Sequence, residues 1–235
     1  AIRIAAIVSH GPDLGGVWPD GTPACKGHVI IITKEDGIED TIIPRLLAAG
    51  ADLTHVHILR YTRDHGVDRN FDLAKDLSKL SEVIARLGNV KLVIVDPIIQ
   101  AVSGDSNKNA EVRKSLDPLI ALAEDHGFAI LGLTHLNKGS ASKDPLERIN
   151  GSLAYGAVAR VVLFTAEIKS DTSEDETVKQ EKRFALIRIK SNLGKSGDGF
   201  VYRLGEGGWQ QVDGFIRPTK AGLAGTLTGS PNQLL

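Results

Sequence analysis

Apolar, β-branched runs alternate along this chain with segments whose apolar residues recur every three or four positions. That alternation restricts the fold to parallel strands joined by crossover helices. The runs cover residues 28–33, 56–60, 91–96, 128–134 and 160–165. Between them, Leu73, Leu77, Leu80, Ile84 and Leu87, and then Val112, Leu116, Leu119 and Ala123, keep a helical spacing. Both segments are expected as amphipathic helices packed on the sheet. Residues 38–49 carry Ile42, Leu46 and Leu47 on one side and stop at Gly50, a residue suited to the left-handed backbone after a helix end.

With 235 residues and 42% hydrophobic content, the chain can build one sizeable α/β core. A net charge of -1 gives no global attraction to nucleic acid or anionic lipid, so any basic surface must be local. The single cysteine, Cys25, permits no internal disulfide, and no apolar run approaches the roughly 20 residues of a membrane span. A cytoplasmic setting without a membrane partner is expected. The chain starts at Ala1 and has no methionine, as a processed or truncated polypeptide would. After residue 165 come an acidic stretch at 170–180, expected as a solvated loop, and two strands at 184–190 and 199–204. These strands are expected to be antiparallel additions at the sheet edge. Beyond Arg217 the Gly-, Thr- and Pro-rich sequence predicts a flexible tail, dividing the chain into a core at 1–217 and a tail at 218–235.

In open parallel sheets, ligands bind beyond the carboxyl ends of the strands. The first run ends in Thr33 and leads into Lys34-Glu35-Asp36-Gly37; another ends in Val93-Ile94-Val95-Asp96-Pro97; a third leads into His135-Leu136-Asn137-Lys138. Singly, each has an ordinary role, since an acid at a strand end caps the next turn and a histidine can satisfy nearby backbone groups. Two acids and a histidine in this order on successive strands are more specific. Asn150-Gly151-Ser152, followed by Ala159-Arg160, completes the set.

These motifs resemble those of the RecA-like ATPases, within the wider AAA family, and in particular the ring-forming replicative helicases of the plasmid RepA type. The likeness extends from residue 1 to about residue 208 and implies a RecA-like three-layer sandwich. It casts Asp96 as the Walker B acid holding Mg²⁺ on the β- and γ-phosphates of ATP. Glu35 is implied as the acid that orients or deprotonates the attacking water, with Asp36 its competitor. His135 would act as a γ-phosphate sensor. Arg160 occupies the place of an arginine finger offered to a neighbouring subunit, although it can equally pair with a surface acid. Lys190 is a weaker candidate for the same nucleotide interface. The segment 138–148, with Lys138, Lys143 and Arg148, matches a channel loop that tracks single-stranded DNA, but it lacks the aromatic residues of a stacking platform and reads equally as a surface loop.

One part of the pattern is missing. A RecA-like site needs a glycine-rich phosphate loop with Lys and Ser/Thr. Gly15-Gly16 and Gly21-Thr22 lack its lysine, and Gly194-Lys195-Ser196 falls late, in a turn between strands. Ala1 to Val8 instead resembles the helix after that loop, and Val17 to Thr22 its exit, which places the expected loop upstream of Ala1 and predicts weak ATP binding by these 235 residues alone. The function the resemblance implies is a Mg²⁺-dependent ATPase that forms a homo-oligomeric, hexameric ring and acts on single-stranded DNA as a helicase. The alternatives are a non-hydrolysing RecA-like module that recruits replication or repair proteins and, third, a metabolic kinase.

Overall fold

The structure is a computed structural model and describes residues 1–14, 16–135, 154–168, 182–194, 197, 199–205 and 208–216. The chain divides into two compact units, Ala1–His135 and Leu136–Leu235.

In the first unit, helix α1 (Ile2–His10) precedes strand β1 (His28–Thr33). A π-turn at Ile38–Ile42 then passes into helix α2 (Ile43–Ala48). The widened turn has a local cause: Pro44, near the start of α2, offers no N–H to a regular helical ladder, and Ile42 N–H reaches back to Gly37 O at 3.0 Å. Gly50, at φ 74°, ends α2 as the sequence predicts; Gly50 N–H donates to Leu47 O and Ala51 N–H to Leu46 O. Those paired bonds satisfy carbonyls that the helix leaves open.

Strand β2 (Val56–Leu59) is followed by a hairpin of β3 (Tyr61–Asp64) and β4 (Val67–Asn70) that the sequence reading lacks. Its two-residue turn has positive φ at both His65 (47°) and Gly66 (82°), a twist matched to the flanking strands. The helix expected from Leu73 begins later, as α3 (Leu77–Leu87). Asp76 precedes it, and its carboxylate accepts two 2.7 Å bonds from Arg69, which join the hairpin to the helix start. Strand β5 (Val90–Asp96), helix α4 (Asn109–His126) and strand β6 (Ala129–Gly132) complete the unit.

The four strands β2-β1-β5-β6 form a parallel sheet in that order. Ala5, Val8, Ile42 and Leu46 from the helical side pack with Val29, Ile31, Leu92 and Ile94 on one face. Ile30, Ile32, Val93 and Val95 point to the other face and are equally buried. Continuous apolar runs rather than alternation are what a sheet covered on both faces requires.

The second unit contains a short helix α5 (Ala154–Val158) and strands β7 (Val161–Ile168), β8 (Arg183–Ser191), β9 (Gly199–Gly205) and β10 (Gly208–Ile216). They pair antiparallel in the order β10-β9-β8-β7. Two expectations are corrected here. The run at 160–165 belongs to this antiparallel sheet rather than to the parallel one, and the strands at 184–190 and 199–204 form a sheet of their own instead of extending an existing edge. Strands adjacent in sequence pair as a meander, and an apolar run looks the same whichever direction its partner takes. The mixed α/β class with a four-stranded parallel sheet agrees with a RecA-like layout. Among the described residues, no helix is long and apolar enough to cross a membrane. The acidic stretch at 170–180 and the tail at 218–235 lie outside the described residues.

Candidate functional site

Strands β1, β5 and β6 are neighbours, so the polar residues that follow their apolar runs emerge at one end of the sheet. Thr33 lies opposite Asp96 in the β1–β5 ladder. On the other side of β5, Val95 is opposite Gly132, and Leu133 N–H donates to Val95 O at 3.0 Å before the chain leaves the sheet at Thr134 and His135. Leu133 O in turn accepts from Ile98 N–H at 2.7 Å, which ties the exits of β5 and β6 together.

Glu35, Asp96 and His135 thereby come into one neighbourhood. Glu35 Oε2 and His135 Nε2 are 3.9 Å apart, with both side chains more than half exposed. Burial pushes the Asp96 carboxyl above its usual range; the negative charges of Glu35 and Asp36 push it further in the same direction, and His135 opposes them. The Asp96 backbone is held as well, its carbonyl accepting from Gln100 Nε2 at 2.9 Å.

Asp36 has partners that Glu35 does not share. Arg45 Nη1, on α2, lies 3.3 Å from its carboxylate, and Arg60 Nη1, just after β2, donates to its carbonyl at 2.9 Å. Behind the turn, the Asp40 carboxylate lies so close to Gly37 that a Cβ there would collide with it. Arg45 and Arg60 were not singled out from sequence. The available signal was position: Arg60 directly follows β2, as Lys34 and Glu35 follow β1.

The donor set fits a magnesium ion of the kind bound on a nucleotide. Mg²⁺ takes one or two protein carboxylates and completes its shell with water and phosphate oxygens. Asp96 offers one half-buried carboxylate in an environment with excess negative charge. Among the described residues no group of three or more metal-ligating side chains is arranged to hold an ion, so an all-protein cage is not the chemistry on offer.

In the second unit, Arg160 is exposed at the start of β7, and its carbonyl accepts from Asn192 N–H at 2.8 Å. Lys190 Nζ, from β8, donates to the carbonyls of Gly156, Ala157 and Ala159 at 2.9, 3.0 and 2.7 Å. A cation at a helix C-terminus satisfies carbonyls that have no partner within the helix. In this arrangement Lys190 organises the end of α5 and the approach to Arg160. Lys138, Lys143 and Arg148 lie outside the described residues.

Comparison with protein families gives a match to an AAA domain over residues 1–141, which takes in α1 and every strand of the parallel sheet. No curated protein matches the chain.

Proposed function

This chain belongs to the AAA domain family of P-loop-type ATPases, and we propose that it carries the catalytic end of a Mg²⁺-dependent, RecA-like ring ATPase that works on single-stranded DNA, a helicase of the RepA type. The observation that carries this reading is the delivery of Glu35, Asp96 and His135 to one end of the sheet by the adjacent strands β1, β5 and β6. Ligands of open parallel sheets occupy that end.

In this reading Asp96 holds Mg²⁺, which would neutralise charge on the bound phosphates. Glu35 accepts a proton from, or orients, the attacking water; its carboxylate has the exposure to reach one. His135 donates a hydrogen bond towards the terminal phosphate and registers its departure. Asp36 is a support to the turn, because its side chain already faces Arg45. Arg160 serves the nucleotide of a neighbouring subunit in a homo-oligomeric, hexameric ring, with Lys190 fixing the backbone that precedes it. Lys138, Lys143 and Arg148 face single-stranded DNA in the channel. The setting is cytoplasmic, beside other replication or repair proteins.

The test is ATP hydrolysis by the full-length protein with and without single-stranded DNA. Stimulation by the DNA, abolished by Glu35→Gln, is expected. In mixed oligomers, Arg160→Ala subunits should recover activity at sites where a neighbour supplies the arginine. Nucleotide binding without hydrolysis would replace the motor with a non-hydrolysing assembly module, and hydrolysis indifferent to DNA would remove the helicase assignment.

A further inference from the structure

We propose that Arg60 is a positioning residue for the acid that activates water, acting on Glu35 through the backbone of Asp36; this rests on the reading of Glu35 given above. The turn that carries Glu35 has two fixed ends. At one end, Thr33 is still in the β1–β5 ladder opposite Asp96. At the other, Arg60 Nη1 donates to Asp36 O at 2.9 Å, which restrains the Asp36–Gly37 peptide, one residue beyond Glu35. Only Lys34 and Glu35 lie between the ladder and the restrained residue.

Arg60 is itself anchored. Its carbonyl accepts from Phe71 N–H at 2.8 Å, closing the base of the β3–β4 hairpin, and Phe71 is buried. Its guanidinium lies 5.7 Å from the Tyr61 ring centroid. A planar guanidinium held against an aromatic ring loses less freedom on making a directed hydrogen bond than a lysine ammonium does. The contrast with Arg45 is informative. Arg45 holds the Asp36 side chain at 3.3 Å, with both side chains about a third or more exposed, a pairing of modest strength.

The choice of acceptor matters for chemistry. A guanidinium paired directly with the Glu35 carboxylate would occupy the lone pairs needed for water and favour the charged form too strongly for a base. By holding the neighbouring carbonyl, Arg60 stiffens the turn and leaves both Glu35 oxygens available. Preorganisation of this kind is felt in the chemical step more than in substrate binding, because misplacing a reacting group by about 1 Å can cost on the order of 10²-fold.

The experiment compares Arg60→Ala, Arg60→Lys, Glu35→Gln and the double variant Glu35→Gln/Arg60→Ala in the full-length oligomer, measuring kcat and the KM for ATP. Arg60→Ala is expected to lower kcat by about tenfold or more with KM changed by less than about twofold, and Arg60→Lys to recover part of that loss. In the Glu35→Gln background, Arg60→Ala should cause no further fall in the residual rate, since its effect passes through Glu35. Should Arg60→Ala fail to fold, Arg60→Gln carries the same kcat and KM comparison. An unchanged kcat in the folded variants, or losses that multiply in the double variant, overturns the proposal. If Glu35→Gln leaves hydrolysis intact, it is the underlying assignment of Glu35 that fails.

Discussion

Glu35 Oε2 and His135 Nε2 face each other at 3.9 Å, within ion-pair reach and beyond hydrogen-bond range. The gap leaves both groups with capacity for a third participant. It also joins residues one hundred positions apart, through the neighbouring placement of β1, β5 and β6.

Glu35 and Asp36 should separate in a kinetic comparison. Glu35→Gln is expected to lower kcat for ATP by about 10²-fold or more while nucleotide binding persists. Asp36→Asn should have a much smaller effect, since its carboxylate is already engaged by Arg45 at 3.3 Å. Steady-state hydrolysis together with a nucleotide-binding titration on each variant checks this, and equal losses would reverse the assignment.

Asp96→Asn should stabilise the protein at neutral pH in the absence of nucleotide and Mg²⁺. The folded state raises this carboxyl above its usual range through burial and the charges of Glu35 and Asp36, so it binds the proton more tightly than the unfolded chain does. Ionisation therefore weakens the fold as pH rises from the ordinary carboxylate value through the folded one. Removing the charge should raise the melting temperature by roughly 2–5 °C at pH 7 and leave it unchanged near pH 3. Thermal melts at the two pH values decide the matter.

A second titration is expected at the opposite end of the sheet. His57 Nε2 and His28 Nδ1 are 3.0 Å apart, and the His28 ring stacks on His55, whose Nδ1 contacts Asp52. Burial lowers both His28 and His57; His55 lowers each further, Arg86 adds to the effect at His57, and Asp52 opposes it at His28. With folded values depressed, stability is intact above the unfolded histidine value of about 6.5 and lost as pH falls through the folded values. The urea midpoint should drop between pH 7.5 and pH 5, and His57→Asn should flatten that dependence.

Asp76→Ala should be among the more damaging substitutions in the first unit. The Asp76 side chain is only 2% exposed, and hydrogen bonds from Arg69 hold its carboxyl down to about 2. The substitution removes both Arg69 bonds and the one accepted from Asp72 N–H, while Arg69, partly exposed, keeps Asp64 at 3.3 Å, so a lower urea midpoint is expected. The loss should also loosen the base of the β3–β4 hairpin, measurable as faster amide exchange at Asn70 and Phe71.

The parallel sheet and its polar rim were legible because Val29 to Ile32 and Leu92 to Val95 allow little but a doubly covered strand, and because Glu35, Asp96 and His135 follow directly. The hairpin was not. From Tyr61 to Asn70 the residues are largely polar and exposed, and His65-Gly66 is a weaker turn signal than Asn-Gly. The direction of β7 was hidden for a different reason: Val161 to Phe164 contains no mark of its partner's orientation. Arg60 required the register of β2 against β1 before its reach to Asp36 became visible.

Burial of β1 and β5 on both faces has a mechanical consequence. Strands gripped from each side resist bending, so Glu35 and Asp96 ride on the stiffest frame the first unit possesses. In the proposed motor, a nucleotide-driven stroke would therefore come from elements that pivot beyond the rim rather than from flexing of that frame, with the two acids as the fixed datum against which displacement is gauged.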